Sequence, residues 1–263
     1  MKDVADLMLK QFTFDVPDRM DVPELIDDAT QPYPDLRASM QDVRRANRFL
    51  GGTIVAARQA RVWLRYAAGS SRGELRPLTF LDVATGTGDI PERLVCEASR
   101  VGAVVRIVGL DYSAPILLCA RELLGARADI RLVRGDALHL PFPDAGFDYV
   151  ICSLAFHHFA PDQCVSVLAE MERVARRGWL VNDLRRARSA WWLIRAVMAV
   201  AGANRLTRHD APASVLRAYT PAELTAIAAE LGLKPRIDFV LRRSLFYRMA
   251  LARTKSPNET GEL

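Results

Sequence analysis

The chain has 263 residues, half of them apolar and a quarter charged. That length allows one large domain with an appendage and a core that needs no disulfides or metal ions, and the composition excludes wholesale disorder, collagen and coiled coil. The formal charge is +5, yet residues 1–34 hold eight acids against three bases, so the rest is strongly basic.

Only four of the 36 bases are lysine. Arginine this abundant reads mainly as genome composition, and no nucleic-acid partner is expected. The start, Met1-Lys2-Asp3-Val4, shows no basic stretch leading into an apolar core, so no signal peptide is read. Residues 1–34 carry two short helical patterns separated by Pro17 and Pro23. This acidic segment either folds back on the basic remainder or meets a second subunit, a homodimer being one reading. A helical pattern runs from Asp35 through Leu36, Met40 and Val43 to Gly51-Gly52, where two glycines break it. A second helix runs through Val55, Ala60 and Trp63 to Ala68, and a Gly/Ser/Arg linker, Gly69 to Arg76, follows.

From Leu78 the pattern becomes short β-like runs alternating with amphipathic helices. Strands are expected at Leu78–Ala84, Val104–Leu110, Ile130–Val133, Tyr149–Ser153 and Trp179–Asp183, with helices at about 90–100, 114–125 and 162–176. Continuous apolar strands alternating with helices imply a parallel sheet covered on both faces. Arg236–Leu241 and Leu245–Leu251 read as a closing antiparallel hairpin. The fold class is α/β: a doubly wound, mostly parallel seven-stranded sheet with an antiparallel C-terminal strand, an N-terminal helical extension (1–77) and a main domain (78–263). A helical cap insertion is expected at about 185–217, around the apolar run Ala190–Ala203, with arginines on both sides. The run is too short to span a membrane; it packs on the core, covers a ligand crevice, or lies on a membrane surface. Cys96, Cys119, Cys152 and Cys164 form no C-x-x-C pair and are read as buried free thiols. The chain reads as cytoplasmic.

The strongest motif is Leu81-Asp82-Val83-Ala84-Thr85-Gly86-Thr87-Gly88-Asp89, between a strand and a helix. This is where α/β sheets bind ligands, and Gly86 and Gly88 let the backbone turn tightly. Pro91 stands where a dinucleotide fingerprint has its third glycine. Asp82 and Asp89 line the loop with negative charge, which suits a cationic ligand with a free amino group rather than a phosphate. Asp111, at the end of the second strand, can accept from both hydroxyls of a ribose while Ser113 caps the next helix. In Gly135-Asp136-Ala137 the carboxylate can accept from an adenine amine and the Ala137 N–H can meet a ring nitrogen.

These motifs, in this order, resemble the class I S-adenosylmethionine-dependent methyltransferases. Asp82-x-Ala84-x-Gly86-x-Gly88 is similar to the family's first motif, Asp111 to its ribose acid and Gly135-Asp136-Ala137 to its adenine loop. Leu140-Pro141-Phe142-Pro143-Asp144-x-x-Phe147-Asp148 resembles the run into the fourth strand. The resemblance implies S-adenosyl-L-methionine as cofactor and adds Thr85, Tyr112 and Ser153 to the residues that hold it. It covers roughly 78–183.

After the fourth strand stands Ser153-Leu154-Ala155-Phe156-His157-His158-Phe159. This is not the [DNS]-P-P-[YFW] sequence of enzymes that methylate nucleobase amines. The two histidines can supply a general base. On an extended chain they point to opposite sides and make poor metal ligands together, so no metal is expected. Asp183, ending the fifth strand, can orient an imidazole or take a proton itself. The arrangement is loosely similar to small-molecule O-methyltransferases of natural-product pathways. It implies O-methylation of a hydroxyl on an apolar aromatic or alkyl-aromatic molecule, with His157 or His158 as base. C- or N-methylation, RNA methylation and a non-methylating relative are the alternatives. Arg48 is the preferred partner for the cofactor's methionine carboxylate.

Overall fold

The computed structural model describes residues 18–49, 51–70, 76–244 and 247–255. Helices α1 (Tyr33–Phe49) and α2 (Gly52–Ser70) precede an alternation of β1 (Leu78–Val83), α3 (Asp89–Arg100), β2 (Val105–Asp111), α4 (Ala114–Leu124), β3 (Ile130–Arg134), β4 (Phe147–Ser153), α5 (Pro161–Val174) and β5 (Ala175–Leu184). Helices α6 (Arg188–Val200), α7 (Arg205–Arg217) and α8 (Pro221–Glu230) then lead to β6 (Val240–Ser244) and β7 (Arg248–Thr254). The seven strands lie in the order β3-β2-β1-β4-β5-β7-β6. β7 runs antiparallel to both β5 and β6, and all other pairs are parallel.

The sheet is doubly wound because its central strands are apolar on both sides. Phe80, Tyr149, Ile151 and Leu180 face Trp63 and Leu64 of α2 and Leu94 of α3, and Trp63 stacks on Tyr149 at 4.3 Å between ring centroids. Leu81, Val83, Val150, Cys152, Trp179 and Val181 face Leu168 and Met171 of α5 and Leu224 and Ile227 of α8. With both faces covered, the exposed loops at the carboxyl ends of β1, β2, β4 and β5 converge on one edge, as parallel sheets require. A buried carboxylate clamps the opposite end. Asp148 accepts from both Arg76 Nη atoms, from the Thr79 N–H and from Thr79 Oγ1, and Arg176 and Arg177 stand at 3.4 and 3.6 Å.

The central alternation lies where the sequence places it, and three expectations are corrected. The hairpin begins four residues late, because Lys234–Asp238 close a tight turn with Arg236 at φ 63° and strand pairing starts only at Val240. Leu245 lies outside the described residues. The stretch 221–230, left unassigned by the sequence reading, is a full helix: the Thr220 hydroxyl accepts from the Glu223 N–H, and the Glu223 carboxylate accepts from the Thr220 N–H. Cys96 is exposed rather than buried, since it sits on the outer side of α3, whereas the other three thiols are buried. Of the two helical patterns expected in 1–34, residues 1–17 lie outside the described residues, and 18–32 carry only a 3₁₀ turn at Leu25–Asp27. Residues 71–75 of the linker also lie outside them.

Candidate active site

A crevice of about 700 Å³ opens along the carboxyl edge of the sheet, within the usual size range of small-molecule sites. Its floor is the loop after β1. Ala84, Gly86 and Gly88 alternate in the left-handed region at φ 54, 54 and 72°, so the chain doubles back over a few residues. At Gly88 a side chain would be strained and its Cβ would strike Leu124 at 2.5 Å. Asp82, 1 % exposed, accepts from the Thr85 hydroxyl at 2.6 Å. Asp89 accepts from Thr87 Oγ1 and from Asn47 Nδ2. Asp111 accepts from the Gly86 and Ser113 N–H groups at 3.0 Å each, while Ser113 Oγ caps α4. Burial pushes all three carboxyls up, Asp82 furthest, with Asp89 and Asp111 adding like-charge repulsion. Asp136 accepts from the Leu138 N–H beside buried Ala137. Tyr112 stands at the rim, 70 % exposed, and Ser153 Oγ accepts from Asn182 Nδ2. Ten residues assigned to the cofactor from sequence thus gather round one crevice, nine of them lining it directly and Gly88 shaping its floor.

The histidines overturn one expectation. Phe156–His158 form a 3₁₀ turn, not an extended chain, so the two rings lie on the same side with centroids 4.4 Å apart. His157 Nδ1 lies 2.8 Å from Asp183 Oδ1, and the His157 backbone N–H donates to Oδ2. Asp183 also accepts from the Leu184 N–H. Although burial opposes it, the charge and hydrogen bonds of His157 hold Asp183 below the usual carboxylate range. When His157 is neutral, the ionised Asp183 fixes its proton on Nδ1 and leaves Nε2 with a free lone pair. His158 differs. Burial opposes its charge, but the bond to Asp27 at 3.1 Å and the Glu24 carboxylate raise its pKa, favouring the imidazolium.

Glu24, Asp27 and Arg217 were not singled out in the sequence, yet they complete this cluster. The Leu25 and Ile26 N–H groups donate to Asp210 of α7, which pins Glu24 and Asp27 above the histidines. Glu24 Oε1, buried and without a hydrogen-bond partner, lies 3.7 Å from His157 Nε2 and 3.8 Å from Arg217 Nη1. The described part of the acidic segment around Glu24–Asp27 therefore packs on the basic remainder. Glu24 and the two imidazoles bring ligand-type atoms within 4.8 Å of one another, but the Arg217 guanidinium already supplies positive charge at that point.

Two walls roof the crevice. Leu36, Met40 and Val43 of α1 form one, and Leu193, Ile194, Val197 and Met198 of α6 the other. They are tied together: Ser39 Oγ and Thr207 Oγ1 are 3.0 Å apart, and Asp42 accepts from the Asn204 N–H at 2.7 Å. Arg48 does not reach the crevice. It is exposed, its guanidinium over Phe49, because it lies on the outer side of α1; Arg44 instead donates to the Thr87 carbonyl. Arg134, Arg185 and Arg248 line the crevice, and the most deeply buried of them is Arg248, the first residue of β7. It is 5 % exposed, and its Nε and Nη1 have no hydrogen-bond partner. Burial pushes it down to about 10 against the charges of Asp183 and Asp89. Asn182, on the same face of β5, donates to the Gly52 carbonyl and has an unpartnered buried Oδ1.

Comparison with known proteins agrees with this geometry. Residues 80–178 match the family of the methyltransferase domain. The demethylmenaquinone methyltransferase of Deinococcus radiodurans is 44 % identical over 119 residues, covering 45 % of this chain and 46 % of that protein. Its counterpart in Staphylococcus aureus is 34 % identical over 128 residues, 49 % of this chain and 51 % of that one. The chain spans about half the length of the curated relatives it matches. The plantazolicin methyltransferase BpumL, solved with S-adenosylhomocysteine, shares the fold with a TM-score of 0.57 at 14 % identity, over 85 % of this chain and 91 % of that one.

Buried carboxylates for a sulfonium and an ammonium and a guanidinium whose Nε and Nη1 lack partners are the groups that an S-adenosylmethionine zwitterion needs, and the residues present fit it. Over residues 80–178 the chain matches the methyltransferase domain family, and in fold and in the order of its motifs it is similar to the class I S-adenosylmethionine-dependent methyltransferases.

Proposed function

We propose that this protein methylates a hydroxylated apolar aromatic small molecule, a hydroquinone in particular. The observation that carries the reading is the buried His157–Asp183 pair, 2.8 Å apart, at the end of a crevice whose roof is apolar. When bound, S-adenosylmethionine supplies an electrophilic methyl group. Asp82, Ala84, Thr85, Gly86 and Gly88 form its seat, Asp111 and Tyr112 take the ribose, Asp136 and Ala137 the adenine, and Ser153 the methionine end. His157, its tautomer set by Asp183, accepts the acceptor's hydroxyl proton at Nε2. His158, held as imidazolium by Asp27 and Glu24, is the poorer base. Loss of that proton makes the phenolic oxygen and the ring carbons conjugated with it nucleophilic, so one base serves O- or C-methylation. The relatives named as demethylmenaquinone methyltransferases favour the ring carbon, and Leu193, Ile194, Val197 and Met198 offer an alkyl chain an apolar wall.

The test is incubation with S-adenosylmethionine and a dihydroxynaphthalene bearing an alkenyl chain, under reducing conditions, with the product located by NMR. A new ring-carbon methyl is expected. An O-methyl ether alone would overturn the choice of carbon, and no transfer to any hydroxylated aromatic would overturn the reading.

Arg248 extends the cofactor site. Arg248 takes the methionine carboxylate, the role assigned to Arg48 from sequence. Replacing Arg248 with methionine, which keeps length and apolar bulk, is expected to weaken S-adenosylhomocysteine binding about 10- to 100-fold, the worth of charge-assisted hydrogen bonds. Methylthioadenosine, which lacks the amino-acid end, should bind wild type and variant alike in the same calorimetric titration. An equal loss for both ligands would mean that Arg248 supports the fold instead.

A further inference from the structure

Helix α6 is apolar on two sides. One side carries Ile194, Val197 and Met198 into the crevice. The other leaves Trp192, Ala196, Ala199 and Val200 in solvent, with Trp192 and Val200 at 59 and 84 % exposure, and half-exposed Leu193 stands on the border of the two. Those five positions recur at the spacing of one continuous stripe. A soluble helix that buries one side against its own protein ordinarily keeps the other polar, and this one does not.

The charge around the stripe is one-sided. From Leu184 to His209 the chain holds six arginines and no aspartate or glutamate. Two of the six are spoken for inside the protein, Arg186 by Glu223 and Arg205 by Asp35 and Gln31. Arg188 and Arg195 are exposed on α6 itself, and Arg208 is exposed on α7. Arg195 lays its guanidinium over Trp191 and Trp192, at 4.6 and 5.9 Å from the ring centroids. A cation resting on an aromatic ring beside an apolar stripe is the arrangement of side chains that place their stems in a lipid layer and their heads among its phosphates. At 13 residues α6 is about 20 Å long, and no described helix is long and apolar enough to cross a membrane.

We propose that α6 docks flat on the surface of a bilayer containing anionic lipid. Trp192, Leu193 and Val200 enter the headgroup boundary, and Arg188, Arg195 and Arg208 pair with lipid phosphates. Because the same helix walls the crevice, docking sets the crevice mouth against the layer in which an apolar acceptor dissolves. That purpose rests on the acceptor proposed above; the docking itself does not.

The test is co-sedimentation of the full chain, without cofactor or acceptor, with vesicles of phosphatidylcholine alone or mixed with phosphatidylglycerol. Binding to the mixed vesicles is expected, weaker on added salt, with a blue shift of tryptophan emission. Trp192→Ser and Val200→Ser, neither of which lines the crevice, should each weaken it about tenfold, as the loss of a buried side chain predicts. Undiminished S-adenosylhomocysteine binding by both variants would show that they remain folded. Absence of vesicle binding, or binding that Trp192→Ser leaves intact, overturns the proposal. So does self-association that Trp192→Ser abolishes without any vesicle binding, which would assign the stripe to a second copy. Vesicle binding requires no methyl transfer, so this outcome and the failure of the methylation reading are separately visible.

Discussion

Replacing His157 with alanine is expected to slow methyl transfer about 10²- to 10⁴-fold, the usual worth of a general base, with S-adenosylhomocysteine affinity nearly unchanged. The split follows from position. His157 sits on the turn after β4, its Nδ1 fixed by Asp183 and its Nε2 turned toward Glu24, whereas the cofactor residues lie on the loops after β1, β2 and β3. Added imidazole should restore part of the rate to His157→Ala, because the variant leaves a ring-sized space beside an intact Asp183. A variant that loses cofactor binding and rate together would make the pair structural. His158→Ala supplies the contrast. Its imidazolium bridges Asp27 and Glu24, so its loss should loosen the Leu25–Asp27 turn and cost stability more than rate. The raised pKa gives that contribution a direction: it is complete below the imidazole's ordinary value and fades as pH rises through the folded one.

The largest loss of stability is expected at Asp148, far from the crevice. Asp148→Ala removes the acceptor for Arg76, for the Thr79 N–H and for Thr79 Oγ1, and removes the counter-charge of Arg176 and Arg177. Cutting one partner from a buried pair costs about 3–5 kcal/mol. Arg76 and Arg176 are partly exposed and can turn to water, so the lower part of that range, about 3 kcal/mol, is expected in urea unfolding. Burial works against Asp148, but the hydrogen bonds of Arg76 and Thr79 and the charge of Arg76 hold its pKa down. The wild-type advantage should therefore be complete above the ordinary aspartate value and disappear as pH falls through the folded one. An unchanged unfolding midpoint would mean that the arginines repair the site among themselves.

Local features of the sequence were enough to place the sheet. The middles of β1, β4 and β5 are buried on both faces and read as short apolar runs, Phe80-Leu81, Tyr149–Cys152 and Trp179–Val181, with Asp82 and Asp183 one or two residues past them. Where a local rule was read one way and the chain followed another, placement failed. Arg236–Leu241 has the composition of a strand, but Lys234 and Asp238 close it into a turn. Thr220-Pro221-Ala222-Glu223 carries a helix-start signal just beyond the expected cap, and its capping box starts the helix at Pro221. Adjacent histidines were expected on opposite sides because the turn after β4 was taken as extended. Glu24 could not have been placed from sequence, since it meets His157 across 133 positions through a bond to Asp210 in yet another segment. Arg248 is one of many arginines, and only its burial without a partner singles it out.

The tie between α1 and α6–α7 has a kinetic side. Ser39–Thr207 and Asp42–Asn204 are hydrogen bonds each worth about 1 kcal/mol net, and the exposed Arg205–Asp35 pair adds little; a lid held this way opens on the microsecond-to-millisecond scale. The roof spans both the cofactor seat and the histidine end, so a single opening exposes both. Cofactor and acceptor then share one door, so neither can be exchanged without uncovering the seat of the other.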